Sequence, residues 1–599
     1  MLTDLPEEVI SNIFSFLNVN QLLPLRLVSH RTKEYVDFAQ GSKKSVFKVT
    51  KKDRLLSRLQ WRVSIFKRTK QLILEKPAIR ADILRLIFMN KFKELSDVKL
   101  CGSKSKENDA NDKLWPSKLH IIGECFPNIT RINFHFVTVD DDSLTKLFSL
   151  CQKISTIDFL HCDGSKGKFL SSIPNEVRFF SWSGKPWNPD EQQISNMRGI
   201  GRIIHYFVYD CMLEDDFGVQ HLVANELKDL QQLSLSVKDL RMFSQFSLCE
   251  LKSIMLYVDT LSGSLKLREP CLEVKTVIMD VQSFRGGNLA EFISNFPNVR
   301  KLKIWLTKGN NIAFDETLMN QITCLKSLRF FQFADDESGT RIGRKFLKHF
   351  ANSVKHLSWK GQILWSDFPP YMRDSDITGF GRNFESLTYD CFGEEDGKIS
   401  SLIANEMKNL KYLYLSIRDL YSFSNFSLPH LVTLNLSIRS FIGTTKLQQP
   451  CMLAKTVDVE FKSCGETDLA DFISNFPNVE NLRIILLSGN QIVFDAKLMK
   501  QICSLRSLRF FEFRDDKIGT NKYLTLDGGV KNAFVETIRS LHWVEKIKLR
   551  VSLSTFLMNE LRQIAEQRPN QFTSEINIGS YDLNDEDFDD DDTVSEFSD

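Results

Sequence analysis

The sequence has no run of about 18 uncharged apolar residues, so we expect no membrane-spanning helix. Its first residues carry acids where a secretory signal would carry bases. The 12 cysteines contain no CxxC pair and no zinc-like spacing. We therefore expect reduced thiols in a cytoplasmic or nuclear protein, without disulfides or a bound metal.

Motifs for catalysis are equally scarce. The sequence has no Walker loop, no HExxH, no GxSxG and no kinase signature. Two Gly-x-Gly turns, at residues 199–201 and 379–381, lack the third glycine of a dinucleotide-binding loop. The ten histidines are dispersed. We expect no enzymatic activity and no cofactor.

Charge is distributed unevenly along the 599 residues, although the net charge is only +2. Residues 43–93 hold 16 Lys and Arg against 3 acids, whereas residues 582–599 hold 10 acids and no base. A run of like charges predicts a disordered, solvated tail. The alternative is a tail that folds back on the basic segment or steers a basic partner.

The first forty residues predict short amphipathic helices. Asp4 and Glu7 have the spacing of a capping box, and Pro6 suits a first helical turn. Apolar residues then recur at helical spacing at Val9, Ile10, Ile13, Phe14 and Leu17. So short a segment cannot bury this stripe by itself, so it needs a partner or the rest of the chain.

The order of these residues resembles the F-box family: Leu5-Pro6-x-Glu8-Val9-Ile10-x-x-Ile13-Phe14, then Leu22-Leu23-x-Leu25-Arg26-x-Val28. The resemblance implies docking on a Skp-type adaptor, which joins the chain to a cullin. Where the family often has Trp, this chain has Thr32-Lys33. The implied adaptor-binding residues are Leu5, Pro6, Ile10, Ile13, Phe14, Leu17, Leu22, Leu25 and Val28.

Behind this segment the chain is internally duplicated. Residues 209–336 align without a gap onto residues 389–516, at an offset of 180, with 63 of 128 positions identical. Within each copy an apolar-x-x-apolar-x-apolar pattern recurs about every 26 residues. Examples are Leu230-Leu233-Leu235, Leu251-Ile254-Leu256 and Leu410-Leu413-Leu415.

This pattern predicts α/β repeats and resembles irregular leucine-rich repeats. We expect a solenoid with a parallel sheet on its concave side and helices on its convex side. The units mostly lack the Asn or Cys that the family places after the strand, although Cys162 matches. A HEAT- or armadillo-type helical array is the alternative, which the strand-like Leu-x-Leu ends disfavour.

The predicted domains follow from these patterns. They are an F-box (1–40), a basic, partly helical connection (41–93), the solenoid (94–550), a C-terminal cap (551–581) and the acidic tail (582–599). Residues 101–113 contain no large apolar side chain and predict a mobile loop.

Two tryptophan-containing segments are the candidate target-binding sites. Trp182-x-Gly184-x-x-Trp187 is echoed by Trp359-x-Gly361-x-x-x-Trp365. Tryptophan is enriched among binding hot spots, and loops often carry recognition. We expect Trp187 and Trp365 to be the more exposed, whereas Trp182 and Trp359 are alternatively core residues.

The F-box resemblance implies a non-catalytic substrate receptor of a Skp–cullin–F-box ubiquitin ligase, whose repeats hold a target protein for ubiquitination. A repeat scaffold that is not coupled to ubiquitin transfer is the alternative. A nucleic-acid binder that uses residues 43–93 is a third, which the near-neutral total charge disfavours. We expect no membrane partner.

Overall fold

The computed structural model describes residues 46–49, 69–75, 95–102, 119–187, 204–211, 217–285, 289–306, 316–335, 353–360, 381–391, 397–421, 423–461, 469–487, 496–516, 528–550 and 555–571. The chain divides into two compact units. The first comprises Met1–Leu328 with Asp335–Ser338, and the second Arg329–Ala334 with Gly339–Asp599. The predicted F-box, the basic residues outside the described strands, most of the 101–113 loop and the acidic tail lie outside the described residues.

The first unit is a sheet in which each strand pairs in parallel with the next along the chain. Its strands are β1 (Val46–Val49), β2 (Gln71–Glu75), β3 (Asp97–Cys101), β4 (Arg131–His135), β5 (Thr156–Cys162), β6 (Phe179–Gly184), β7 (Tyr206–Asp210), β8 (Gln232–Leu240), β9 (Ser253–Ser262), β10 (Thr276–Arg285) and β11 (Lys301–Leu306). Its helices are α1 (Leu119–Cys125), α2 (Asp141–Leu150), α3 (Phe217–Asn225), α4 (Leu289–Ile293) and α5 (Glu316–Cys324).

The second unit repeats this plan, again with consecutive strands in parallel. Its strands are β12 (Phe330–Asp335), β13 (His356–Lys360), β14 (Ser386–Cys391), β15 (Tyr412–Tyr421), β16 (Thr433–Ile442), β17 (Thr456–Phe461), β18 (Asn481–Leu487), β19 (Phe510–Asp516) and β20 (Lys546–Arg550). Its helices are α6 (Gly397–Glu406), α7 (Leu469–Ile473), α8 (Ala496–Ser504), α9 (Gly528–Ser540) and α10 (Thr555–Gln567).

These parallel strands with intervening helices confirm the leucine-rich-repeat-like solenoid and exclude the all-helical alternative for the described residues. Strands of 4 to 10 residues confirm its irregularity. The apolar pattern is what drives the fold, because each strand turns alternate side chains inward. In β8, Leu233 and Leu235 are at most 1% exposed, as is Leu230, which precedes the strand. Each such buried leucine contributes about 1.5–3 kcal/mol.

The duplicated sequence Phe-Ile-Ser-Asn-Phe-Pro-Asn-Val places a buried asparagine in each unit. The Asn295 side chain accepts from Leu267 N at 2.9 Å and donates to Leu265 O at 2.7 Å. Asn475 does the same with Leu447 N and Thr445 O, both at 2.8 Å. These bonds satisfy buried backbone groups that lie up to 30 residues earlier. The units that lack an asparagine after the strand thus have, in these two repeats, a buried asparagine after α4 and after α7.

One predicted boundary is wrong. The solenoid does not begin at residue 94, because β1 and β2 belong to the sheet and pair in parallel with each other and with β3. Leu72 and Leu74 are fully buried, as alternation in a strand requires. The high density of basic residues in 41–93 drew the prediction towards a helical connection and hid two short strands.

The C-terminal helix α10 lies where the cap was predicted. It packs against α9, with Leu561 and Ile564 buried. Beyond it, Gln571 O accepts a hydrogen bond from Ile547 N of β20 at 2.7 Å. Its side chain donates to His542 O at 2.8 Å. These contacts cover part of β20, the last described strand, which would otherwise expose an unpaired edge.

Candidate binding surfaces

The tryptophan pair of the first unit is part of the core, so the expectation that Trp187 is exposed is wrong. Trp182 is 0% and Trp187 1% exposed, with ring centroids 5.5 Å apart. The Trp187 ring lies 4.7 Å from the ring of Tyr209, and the backbone N–H of Trp187 donates a hydrogen bond to Tyr209 Oη at 3.2 Å. A chain turn at Gly167, with φ +83°, leaves room for the indole.

The second tryptophan segment gives the same result for its described residue. Trp359 is 1% exposed, and its ring lies 4.6 Å from that of Phe333 on the neighbouring strand, tilted by 30°. Trp182 and Trp359 are therefore core residues. Together with Trp187, they are too deeply buried to offer a surface to a target. Trp365 lies outside the described residues, as do all nine predicted adaptor-binding residues.

A different surface emerges from the three residues that precede each strand, which we number −3, −2 and −1 and call the amino-end edge. The −2 residues point inward: Val354, Phe384, Leu410 and Leu431 are all fully buried. The −3 and −1 side chains on either side of them are exposed or half-buried. Successive strands are about 4.8 Å apart, so these outward side chains form two parallel rows.

In the first unit the −3 row is acidic before four strands, whereas it holds Asn128, Lys153 and Asn298 before β4, β5 and β11. Its members before β6, β8, β9 and β10 are Glu176, Asp229, Glu250 and Glu273. The −1 row of the same strands carries cations at Arg178, Lys252 and Lys275. Carboxylates and cations are therefore interspersed along this edge, which leaves no large field of one sign.

In the second unit the −3 row carries no carboxylate before β13 to β17. Its members are Ser353, Asn383, Asn409, His430 and Leu453. At the offset of 180, Asp229, Glu250 and Glu273 correspond to Asn409, His430 and Leu453. The two copies thus share buried −2 positions but differ by three negative charges at one edge.

This edge of the second unit forms a groove of about 470 Å³. We call it the basic groove, because three cations and a single carboxylate line it, for a net charge of +2 with His430 neutral. Its lining residues are Arg329, Ser353, Lys355, Asn383, Glu385, Asn409, Lys411 and His430.

Glu385 fixes the two lysines of the basic groove. Its carboxylate accepts from Lys355 Nζ at 2.5 Å and from Lys411 Nζ at 2.9 Å. Hydrogen bonds from Lys355 and Lys411 lower the pKa of Glu385 to about 2. The carboxylate therefore stays ionised at neutral pH and holds both ammonium groups on the surface, with 27% of its own side chain exposed.

The backbone beneath the groove is also held in place. Lys355 O accepts from Glu385 N at 2.8 Å and from Ser386 N at 3.1 Å. Glu385 O accepts in the same way from Lys411 N and Tyr412 N. Because each −1 carbonyl bonds to two consecutive N–H groups of the next strand, the −1 side chains have a fixed spacing.

The outward face of the sheet is a second surface, and it also differs between the units. In the first unit, Asp210, Asp259 and Asp280 line a cavity of about 440 Å³ together with Tyr257, which is 37% exposed. At the matched positions the second unit has Asp390, Arg439, Glu460 and Ser437. This face is thus acidic in one copy and mixed in the other.

A charge ladder crosses this face in the second unit. Arg483 bridges Asp458 at 3.2 Å and Glu512 at 3.3 Å, and Lys548 approaches Glu512 at 3.6 Å. Burial raises the pKa of Asp458, against the opposing effect of Arg483. The matched residues of Asp458 and Arg483 in the first unit are Ile278 and Lys303. The ladder therefore belongs to the second copy alone.

Sequence reasoning missed the basic groove. A comparison of the two copies could have revealed it. At the −3 positions before matched strands the residues differ in charge, although the adjacent −2 residues are apolar in both copies. Within the described ranges, no group of three or more His, Cys, Asp or Glu side chains could hold a metal ion. Among the same residues, no helix is both long and apolar enough to cross a membrane.

Comparison with known proteins identifies the amino-terminal module. Residues 2–39 match the family model described as the F-box domain, so the chain carries an F-box ahead of its repeats. An F-box supports a general role as a ubiquitin-ligase substrate receptor, and the repeat fold supports a protein-interaction module. Both are typical of non-catalytic adaptor proteins.

The solenoid has a distant similarity to a solved structure. It is described as the "Crystal structure of TLR13-ssRNA13 complex", with 12% identity and a TM-score of 0.41. The alignment covers 84% of this chain and 66% of that one, so this chain spans just under two thirds of that structure's chain. A search of the curated proteins found no match.

Proposed function

We propose that this chain is the non-catalytic substrate-recognition subunit of a Skp–cullin–F-box ubiquitin ligase. Its F-box binds the Skp-type adaptor, and through it the cullin, while the repeats bind a target protein. The observation that carries the proposal is the presence, in one chain, of an F-box at residues 2–39 and of a solenoid with many outward-facing polar side chains.

The physical contribution of such a subunit is proximity. A bound target lysine has a high effective concentration beside the ubiquitin donor, which replaces a bimolecular encounter with a nearly intramolecular one. No bond-making group is needed on this chain for that purpose. Cytoplasmic or nuclear localisation fits this role.

Co-purification with a Skp-type adaptor tests the F-box half of the proposal. The test variant is Pro6→Ala, Ile13→Ala, Phe14→Ala, which removes apolar contacts from the predicted adaptor-binding stripe. A matched control is Leu267→Ala, because this buried repeat residue affects folding but lies outside the F-box. Wild type and the control should retain the adaptor, whereas the triple variant should lose it and stay folded.

The competing function is a repeat scaffold that is not coupled to ubiquitin transfer. It predicts a bound partner whose ubiquitination does not depend on the adaptor. Reconstitution of ubiquitin transfer with wild type and with the triple variant separates the two functions. If both give equal ubiquitination of a bound target, or neither chain binds adaptor, the scaffold function replaces the receptor function.

A further inference from the structure

We propose that the basic groove of the second unit binds an anionic segment of the target protein. This inference rests on the proposed function and specifies the chemistry of its partner. Arg329, Lys355 and Lys411 would meet the anionic groups, and the Ser353 hydroxyl would donate to them.

Charge complementarity is the first argument. The groove carries three cations against one carboxylate, and its −3 row supplies neutral side chains where the first unit has acids. Charge-assisted hydrogen bonds to carboxylate or phosphate oxygens are about twice as strong as neutral ones. An acidic or phosphorylated peptide therefore gains more here than at the matched edge of the first unit, where Asp229 and Glu250 repel it.

Preorganisation is the second argument. The Glu385 carboxylate lies between Lys355 and Lys411 and binds both ammonium groups, at 2.5 and 2.9 Å. The backbone carbonyls of Lys355 and Glu385 each accept two hydrogen bonds, which fix the backbone from which these side chains extend. A ligand that arrives at this site orders few new groups, which lowers the entropic cost of binding.

The neighbouring strand adds an apolar contact. Met452 is 52% and Leu453 53% exposed, four and three residues before β17 begins. Leu453 occupies the −3 position next to His430, so the two side chains start about 4.8 Å apart. The groove and this pair together fit a segment that presents an anionic side chain beside an apolar one.

The test measures binding of short fluorescein-labelled peptides to the full chain. The peptides share a Gly, Ser and Leu background and carry two glutamates, two phosphoserines or two glutamines. Wild type should bind at least one anionic peptide about tenfold more tightly than the glutamine peptide, and added salt should weaken that binding. Preference for phosphoserine or for glutamate identifies the source of the charge, and either preference supports the site.

Two variants probe the groove itself. Lys411→Gln with His430→Glu installs the residues that the first unit has at positions 231 and 250, so the fold tolerates them. This variant should lose the anionic preference. Glu385→Gln removes the lone carboxylate; we expect the lost repulsion to outweigh the loosened hold on the two lysines, so this variant should bind the anionic peptides several-fold more tightly. The control, Lys146→Gln with Lys153→Gln, removes the same net charge from exposed sites of the first unit and should bind like wild type.

Three results would overturn the proposal. One is equal binding of the anionic and glutamine peptides, and another is the same loss in the control variant. The third is anionic peptide binding that appears only after residues 582–599 are deleted, because the chain's own acidic tail would then be the occupant. Adaptor co-purification runs in parallel: its failure with intact peptide binding refutes the proposed function and leaves the groove standing.

Discussion

The two duplicated copies share their buried positions before the matched strands and differ at the outward positions beside them. Before matched strands, the buried residues Leu230 and Leu410 are identical, and so are Leu251 and Leu431. At the adjacent −3 positions, Asp229 of the first copy aligns with Asn409 of the second, and Glu250 aligns with His430. A solenoid separates these constraints cleanly, because the inward rows determine folding and the outward rows are free to specify partners.

The largest expected effect tests whether the two cores are truly equivalent. Leu235→Ala and Leu415→Ala each empty a fully buried position at the offset of 180. Each should lower the free energy of unfolding of its own unit by about 2–5 kcal/mol. Hydrogen exchange followed by mass spectrometry measures each unit separately. Clearly unequal losses would show that the copies pack differently despite their identical residues.

The next prediction compares the two buried asparagines. Asn295→Ala and Asn475→Ala each leave a backbone N–H and C=O without the partners described above. Each should destabilise its unit by about 1–3 kcal/mol, measured by the same exchange experiment. Asn298→Ala is the control, because its bond to Leu272 O is exposed and should matter less. Equal effects at Asn298 and Asn295 would contradict the importance of burial.

The charge ladder should make one copy more sensitive than the other. Arg483→Gln removes the cation between Asp458 and the nearly buried Glu512. We expect a loss of about 1–2 kcal/mol in the second unit, because solvent reaches Arg483 and Lys548 still approaches Glu512. Lys303→Gln, the matched change in the first unit, should cost less. The comparison fails if Lys303→Gln is the more damaging change in local hydrogen exchange.

The smallest expected effect is a pH dependence at Glu385, whose matched residue is His205. The folded pKa of Glu385, about 2, lies below its ordinary value of 4.5. Its ion pairs therefore stabilise the fold above pH 4.5 and are lost as the pH falls towards 2. At neutral pH the wild type should have a slightly higher Tm than Glu385→Gln. The corresponding difference in the free energy of unfolding should be below about 1 kcal/mol. A difference that grows on acidification would contradict this sign.

Much of the fold could be predicted from local pattern. The Leu-x-Leu alternation locates most strands, because one buried face leaves a period of two in the sequence. The sequence does not predict strands β1 and β2, because an alternating pattern over four or five residues is weak among many lysines and arginines. Long-range packing also lies beyond pattern: nothing near Trp187 in sequence indicates that Tyr209, 22 residues later, covers it.

The candidate site was less predictable than the fold. The F-box stripe is contiguous, so sequence alone indicates it, and the family match at residues 2–39 agrees. The basic groove is assembled from single residues spaced about 26 apart, and no local window contains two of its cations with their shared carboxylate. Only the sheet register, which sets Lys355 beside Glu385 and Glu385 beside Lys411, brings them together.

The asparagine bonds have a consequence for how this chain could have lengthened. Asn295 and its acceptor Leu265 O are 30 residues apart, as are Asn475 and Thr445 O. A copied block of 180 residues therefore contains both ends of each bond, so the duplicate brings these contacts with it. The spacing of these bonds is therefore compatible with lengthening of the array by whole blocks, because no bond partner is left outside the copied segment.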